Sequence, residues 1–119
     1  MGEQLVMFET AKLAKEKGFN IKTQWVLYRG VSTVGYSSYK DNSDYLLQPT
    51  QSLLQKWLRE IHNINIDIET LQKEKKIVYG YDLVYTIETL HVKSSKERFK
   101  TYEQALEDSL QEALRLTKE

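Results

Sequence analysis

Residues Asn63 to Glu69 read Asn-Ile-Asn-Ile-Asp-Ile-Glu, and Tyr79 to Glu88 read Tyr-Gly-Tyr-Asp-Leu-Val-Tyr-Thr-Ile-Glu. Both stretches alternate apolar and polar side chains with a period of two, which is typical of strands with one buried face. The residues predicted to share that face are Ile64, Ile66, Ile68, Tyr79, Tyr81, Leu83, Tyr85 and Ile87. A sheet with one apolar and one polar face is usually antiparallel, with helices on one side only. These two stretches therefore indicate the fold class.

Helices are predicted before and between the strands. Residues 3–17 carry an apolar stripe and end at Gly18, which suits a left-handed C-cap. Thr50 follows the single proline and is a suitable N-cap for a second helix that ends near His62.

A third helix is predicted to begin after Thr101, because Thr101-x-x-Gln104 has the pattern of a capping box. Its predicted inward residues are Tyr102, Leu106, Leu110, Ala113 and Leu114. Its predicted outward residues are Glu103, Glu107, Asp108 and Glu112.

Two further strands are predicted in the first half of the chain. Residues 19–28 alternate, and Val31 to Val34 lie between two glycines as a hairpin partner. The order is then α-β-β-α-β-β-α. We expect an α+β fold in one domain over residues 1–119, with one four-stranded, mostly antiparallel sheet and helices packed on one face.

Composition excludes several classes of protein. The 119 residues have 17 basic and 17 acidic side chains, so no long-range field attracts nucleic acid or an anionic membrane. The absence of cysteine excludes disulfides, zinc–thiolate sites and cysteine nucleophiles. No stretch has the roughly 20 apolar residues of a spanning helix, and no signal peptide is recognisable. A soluble cytoplasmic protein without membrane contact is expected.

Tyrosines in the irregular segment 36–48 are the most suggestive candidates for a contact surface. Tyr36, Tyr39 and Tyr45 lie in a polar, turn-rich stretch. Tyrosine supplies contact area at low entropic cost and is enriched in interface cores. The alternative is that this loop folds back and covers the sheet edge.

A basic connector follows the last predicted strand and contains Lys93, Lys96, Arg98 and Lys100. Phosphate contacts from these side chains would make the protein a weak nucleic-acid-binding accessory protein. Sequence-tolerant binding would also need aromatic platforms beside the charges, whereas the strand tyrosines are predicted to point inward. Nucleic acid is therefore the less favoured partner.

Catalytic and metal-binding patterns are weak. His62 is expected to cap a helix end and His91 to close a strand. Asp67, Glu69, Asp82 and Glu88 fall on the predicted polar face, where water screens their charges and makes acid–base or metal chemistry a poor fit. We expect no metal, no cofactor and no catalytic residue. An enzyme with a cryptic site remains an alternative, which a deep pocket holding His62 or His91 beside a carboxylate would support.

Two segments of the chain resemble known proteins. They are residues 49–60 (PTQSLLQKWLRE) and residues 99–107 (FKTYEQALE). Together with residues 8–19 (FETAKLAKEKGF), they resemble small phage- or prophage-associated proteins of gut bacteria. The resemblance covers the three helical segments, roughly a third of the chain. It implies a phage or mobile-element origin and brings no activity or site residue with it.

The sequence thus favours a non-enzymatic protein-interaction module. Its expected partner is a host or phage protein, and Tyr36, Tyr39 and Tyr45 are the predicted contact residues. A homodimer is also possible, because an open sheet has exposed edges.

Overall fold

The computed structural model describes residues 4–34 and 45–117. Three helices and six strands lie in these residues. They are α1 (Phe8–Glu16), β1 (Trp25–Tyr28), β2 (Val31–Val34), β3 (Tyr45–Gln48), α2 (Gln51–His62), β4 (Asn65–Lys73), β5 (Lys76–Ile87), β6 (Thr89–Ser94) and α3 (Tyr102–Leu116). The α+β class and the order of helices and strand groups agree with the prediction. None of the described helices is long and apolar enough to cross a membrane.

The strands form two three-stranded antiparallel sheets, with orders β2-β1-β3 and β4-β5-β6. The predicted single sheet of four strands is therefore wrong. Both edges of β1 are occupied by β2 and β3, and both edges of β5 by β4 and β6. The two predicted hairpins therefore cannot join through β1 or β5, and their other strands, β2 and β4, are not paired with each other.

Each strand group has one strand more than the sequence predicts. Strand β3 lies at the end of the segment assigned as irregular. Strand β6 arises because the chain reverses at Glu88, whose φ is 64°. The predicted last strand, which ran on to His91, is thus two paired strands.

The apolar side chains of β4 and β5 lie on the predicted face over most of the length of the two strands. Ile66 lies opposite Leu83, and Ile68 lies opposite Tyr81. Ile66, Tyr81 and Leu83 are buried. Ile87 is an exception, with 55% of its surface exposed, and it lies in the exposed stretch 86–94 around the β5–β6 turn.

One hydrophobic cluster contains residues of all three helices and of both sheets. Helix α3 packs over β4 and β5, α2 packs against β4 and α3, and α1 packs against α3 and β3. The molecule measures 49 × 38 × 20 Å. A thickness of 20 Å equals about one helix layer on one sheet layer, because each layer takes roughly 10 Å. Among the described residues, the face of the second sheet that is turned away from the helices is therefore uncovered, with Leu90 and Val92 exposed.

Local signals at the helix ends are confirmed. The Thr50 hydroxyl accepts a hydrogen bond from the Leu53 N–H at 3.1 Å, and Thr101 accepts from the Gln104 N–H at 3.1 Å. Gly18 has φ 94°, as its predicted capping role requires. Helix α1 is shorter than predicted, because the Val6 N–H pairs with the Pro49 carbonyl at 3.0 Å and holds this segment extended.

The carboxylate of Glu107 connects the three helices. It accepts hydrogen bonds from the Met7 N–H at 2.9 Å, the Gln51 Nε2 at 2.9 Å and the Thr10 hydroxyl. The Gln111 Nε2 donates to the Thr10 hydroxyl at 2.9 Å. Only 8% of Glu107 is exposed, so the predicted outward position is wrong. The reason is that its neighbours on α1 and α2 are polar and satisfy a buried carboxylate.

Replacement of Glu107 by alanine should destabilise the protein by about 2–4 kcal/mol, because it leaves several buried donors without an acceptor. Glutamate and alanine have similar helix propensities, so α3 itself should be little affected. Urea denaturation of Glu107→Ala beside Glu60→Ala measures the effect. Glu60 lies exposed on α2, and its replacement should cost less than about 0.5 kcal/mol. Equal losses in the two variants would contradict the linking role of the carboxylate.

Candidate interaction surfaces

Tyr45 is the one predicted contact tyrosine that the structure describes, since Tyr36 and Tyr39 lie outside the described residues. Tyr45 begins β3 opposite Tyr28 of β1. The two rings stack with centroids 4.6 Å apart and an interplanar angle of 27°. The Arg29 guanidinium carbon lies 5.2 Å from the centroid of the Tyr28 ring. The stack therefore presents aromatic surface with a cation beside it.

Val31 of β2 extends this stack across the first sheet. It lies opposite Tyr28 on the other side of β1, and directly opposed residues share a face. We call Val31, Tyr28 and Tyr45 the tyrosine row. Val31 is 65% exposed, and the two tyrosines are half-buried.

The turn beside the tyrosine row is rigidly specified. Arg29 and Gly30 have φ values of 52° and 85°, the double left-handed pattern of a two-residue hairpin turn. Sequence reasoning did not select Tyr28 or Val31 as contact residues. The Tyr-Arg-Gly-Val hairpin signal could have pointed to them, because the two residues that flank a two-residue turn are opposite each other.

The uncovered face of the second sheet carries an exposed apolar group near the β5–β6 turn. Val92 lies opposite Val84, and Leu90 lies opposite Thr86. Leu90 and Val92 are 67% and 59% exposed. These side chains lie on the opposite face from Leu83 and Tyr85, so the helices do not cover them.

An acidic group occupies the same face farther along the strands. Asp67 lies opposite Asp82, and Glu69 lies on the same face one pair away. A hydrogen bond to Asp82 and the charge of that carboxylate raise the pKa of Glu69, whereas hydrogen bonds from Ser94 and Glu69 lower the pKa of Asp82. Of the two carboxyl groups, Glu69 is therefore the one that is protonated first as the pH falls. Within residues 4–34 and 45–117, no three His, Asp or Glu side chains are arranged to hold a metal ion.

The four basic residues of the connector do not form one patch. Lys93 lies on the helix-covered side of β6 and pairs with Glu112 of α3 at 3.3 Å. Arg98 lies on the other face, 3.5 Å from the position that a Cβ on Gly80 would take. Lys96 and Lys100 are exposed. The connector bulges between Ser95 and Phe99, and this bulge separates the charges.

The two histidines lie in different surroundings, and in the described residues neither is hydrogen-bonded to a carboxylate. His91 is exposed and stacks on Tyr85 at 5.6 Å. His62 lies in an open cleft of about 470 Å³ with Trp57, Lys15 and Glu16. Its ring meets the Trp57 ring edge to face at 4.7 Å, and its Nε2 is buried without a hydrogen-bond partner.

The His62 cleft is poorly suited to catalysis. It lies at the C-terminal ends of α1 and α2, where Lys15 is placed to offset the partial negative charge of a helix end. Burial lowers the pKa of His62, which favours the neutral ring that packs on Trp57. An open cleft excludes little water, so its geometry fits a structural histidine.

No protein-family model matches this chain. No curated protein and no solved structure matches it either. The resemblance of the three helical segments to phage-associated proteins thus remains a prediction from the sequence.

The wild-type protein should lose stability relative to His62→Gln as the pH falls from 7.5 to 5.5. Unfolded histidine titrates near a pH of about 6.5, and the folded group titrates lower, so the unfolded state binds more protons in this window. The stabilisation that comes from the neutral His62 ring is therefore fully present above the pKa of the unfolded state. It is lost as the pH falls through the lower pKa of the folded state. Thermal melts at several pH values measure the difference. His91→Gln is the control, and a difference between wild type and His62→Gln that is constant with pH would contradict this prediction.

Proposed function

We propose that the protein is a non-enzymatic protein-interaction module that binds a host or phage protein through the tyrosine row and the adjoining segment that contains Tyr36 and Tyr39. The observation that carries the proposal is the stacked pair Tyr28–Tyr45 beside the exposed Val31. Rigid aromatic side chains at the centre of a contact surface contribute much of the binding energy of protein complexes. The module acts without a metal or cofactor.

The geometry of the first sheet supports this role in two ways. The row lies on an ordered scaffold, because β1 is hydrogen-bonded on both sides and Leu27 is part of the core. The Arg29 cation lies over an aromatic ring, an arrangement common in interfaces, where arginine and tyrosine are both enriched. A pre-organised surface loses little conformational entropy when a partner binds.

The setting in which the module acts is part of the proposal. A phage or mobile-element origin rests on the resemblance of the three helical segments. A cytoplasmic location is consistent with a chain in which no described helix could cross a membrane. A small accessory factor that binds one host protein would need no active site.

Nucleic-acid binding has less support. Lys93 is engaged by Glu112, and Arg98 lies beside the acidic group on the opposite face. A phosphate backbone would need these charges on one continuous surface. A cryptic enzyme would need His62 or His91 beside a carboxylate in an enclosed pocket, and the cleft around His62 is open.

Replacement of both Tyr39 and Tyr45 by alanine should abolish capture of the partner. The tagged protein is immobilised and exposed to host lysate, with and without phage infection. The wild type should retain one protein in a fixed ratio, and nuclease should not reduce that ratio. The double variant should lose at least about 90% of it, as removal of two aromatic anchors costs several-fold to a hundred-fold in affinity.

Tyr102→Ala provides a matched control, because Tyr102 is an exposed tyrosine on α3 that contacts Tyr79, away from the row. Its partner capture should equal that of the wild type. Capture that survives in the double variant would refute the role of the tyrosines. Capture that disappears with nuclease and weakens steeply with salt would instead support the basic residues and nucleic acid.

A further inference from the structure

Strand β6 is an unprotected edge of the second sheet. The order β4-β5-β6 leaves one side of β6 without a strand neighbour in the described part of the chain. Its pairing with β5 is regular from Thr89 to Ser94, without a bulge, and the strand contains no proline. Its single lysine, Lys93, is engaged by Glu112. Charges, bulges and prolines are the usual protection of an edge strand, and β6 has little of it.

The opposite edge of the same sheet is better protected. Strand β4 carries Asp67 and Glu69, whose charges disfavour pairing with another strand. The Gln55 side chain of α2 also donates to the Ile66 carbonyl at 3.3 Å. Of the two edges, β6 is therefore the one open to a new strand.

The hydrogen bonds between β5 and β6 show which peptide groups of β6 are unpaired. Bonded and non-bonded pairs alternate along an antiparallel ladder. The Ser95 N–H donates to the Tyr81 carbonyl at 2.8 Å, so Ser95 is a hydrogen-bonded residue of this ladder. Bonded residues recur every second position, so Lys93 and His91 are also hydrogen-bonded to β5. The peptide groups that point away from the sheet then belong to Leu90, Val92 and Ser94.

We propose that two copies of the chain pair antiparallel through β6 and form one continuous six-stranded sheet. The two-fold axis passes through His91, so that His91 lies opposite the partner's His91. Leu90 then lies opposite the partner's Val92 and exchanges both peptide hydrogen bonds with it. This pairing uses a surface separate from the tyrosine row, and it holds whether or not the tyrosine row binds a partner.

Side chains and charges of β6 favour a second copy as the occupant. In this register Leu90 and Val92, the most exposed apolar pair of the strand, cover each other across the axis and extend the row that begins at Val84. Lys93 lies opposite the partner's Thr89, so the lysines of the two copies do not oppose each other. The formal net charge of zero removes long-range repulsion between copies. A strand with acidic side chains from another protein would gain little from Lys93, because this lysine is already paired with Glu112.

The helices leave room for this pairing. Helix α3 packs over β4 and β5, and all six residues of β6 are exposed. Strands lie about 4.8 Å apart, so β5 and the partner's β5 would be roughly 14 Å apart, more than a helix diameter. The interface is smaller than the usual 1,200–2,000 Å², which predicts a dimer with a Kd of about 10–100 μM.

A single cysteine tests the pairing, because the chain has no other thiol. In the proposed register the two His91 Cα atoms lie about 4.5 Å apart in a non-hydrogen-bonded pair, within the disulfide range of roughly 4.4–6.8 Å. His91→Cys should therefore form a disulfide-linked dimer in an oxidised glutathione buffer and return to monomer with reductant. Thr89→Cys is the control on the same strand. Its thiols would be four residues out of register and should cross-link at least about tenfold less.

Two outcomes of the cross-linking would overturn the proposal. Equal cross-linking of His91→Cys and Thr89→Cys would show random collision. Efficient cross-linking of Val92→Cys in place of His91→Cys would show a different register.

Sedimentation equilibrium of the wild type tests the same pairing without cysteine. The double variant Leu90→Lys, Val92→Lys should raise the dimer Kd at least about tenfold, since it replaces both apolar pairs with charges. Both side chains are exposed, so its melting temperature should stay close to that of the wild type. A wild type that remains monomeric up to about 1 mM, well above the expected Kd, would refute the dimer.

Discussion

Three helices form one layer in this protein, and the buried carboxylate of Glu107 holds that layer together. It receives the Met7 N–H and the Thr10 hydroxyl from α1 and the Gln51 amide from α2, while α3 supplies the carboxylate itself. The apolar contacts among the helices are non-directional, whereas these hydrogen bonds fix how the helices are placed. Because the same layer is the only described cover of both sheets, the position of every strand depends on it. The outer face of the second sheet stays open for the same reason, since one helix layer can cover only one side of a sheet.

Much of this fold could be predicted from local chemistry. The alternation of residues 63–69 and 79–88, the caps at Thr50 and Thr101, and the hairpin after Tyr28 each depend on a few neighbouring residues. The incorrect predictions concern contacts between segments that are far apart in the sequence. Strand β3 has four residues beside a polar stretch, and β6 is exposed throughout, so neither has the apolar periodicity of a half-buried strand. Glu107 was misplaced because its burial is possible only with donors from two other helices, nearly 60 and 100 residues away along the chain.

The candidate surfaces show the same division between local and long-range information. Tyr45 could be selected from composition, but its stacking on Tyr28 required the unpredicted β1–β3 pairing. Lys93 and Arg98 looked like one cluster because they are close in sequence. A strand alternates its faces and a bulge follows β6, so the two side chains end on opposite sides of the sheet. Clusters in a sequence are therefore a weak guide to clusters on a sheet surface.

The Met7–Glu107 hydrogen bond also affects when the protein can fold during its synthesis. Its donor and acceptor are 100 residues apart, so α1 has no partner on α3 until nearly the whole described chain has left the ribosome. The meander β4-β5-β6 needs only neighbouring segments and can form earlier. Until α3 emerges, the side of α1 that packs on α3 stays open to solvent and to chaperones. The N-terminal half is therefore made first, and its packing is completed last.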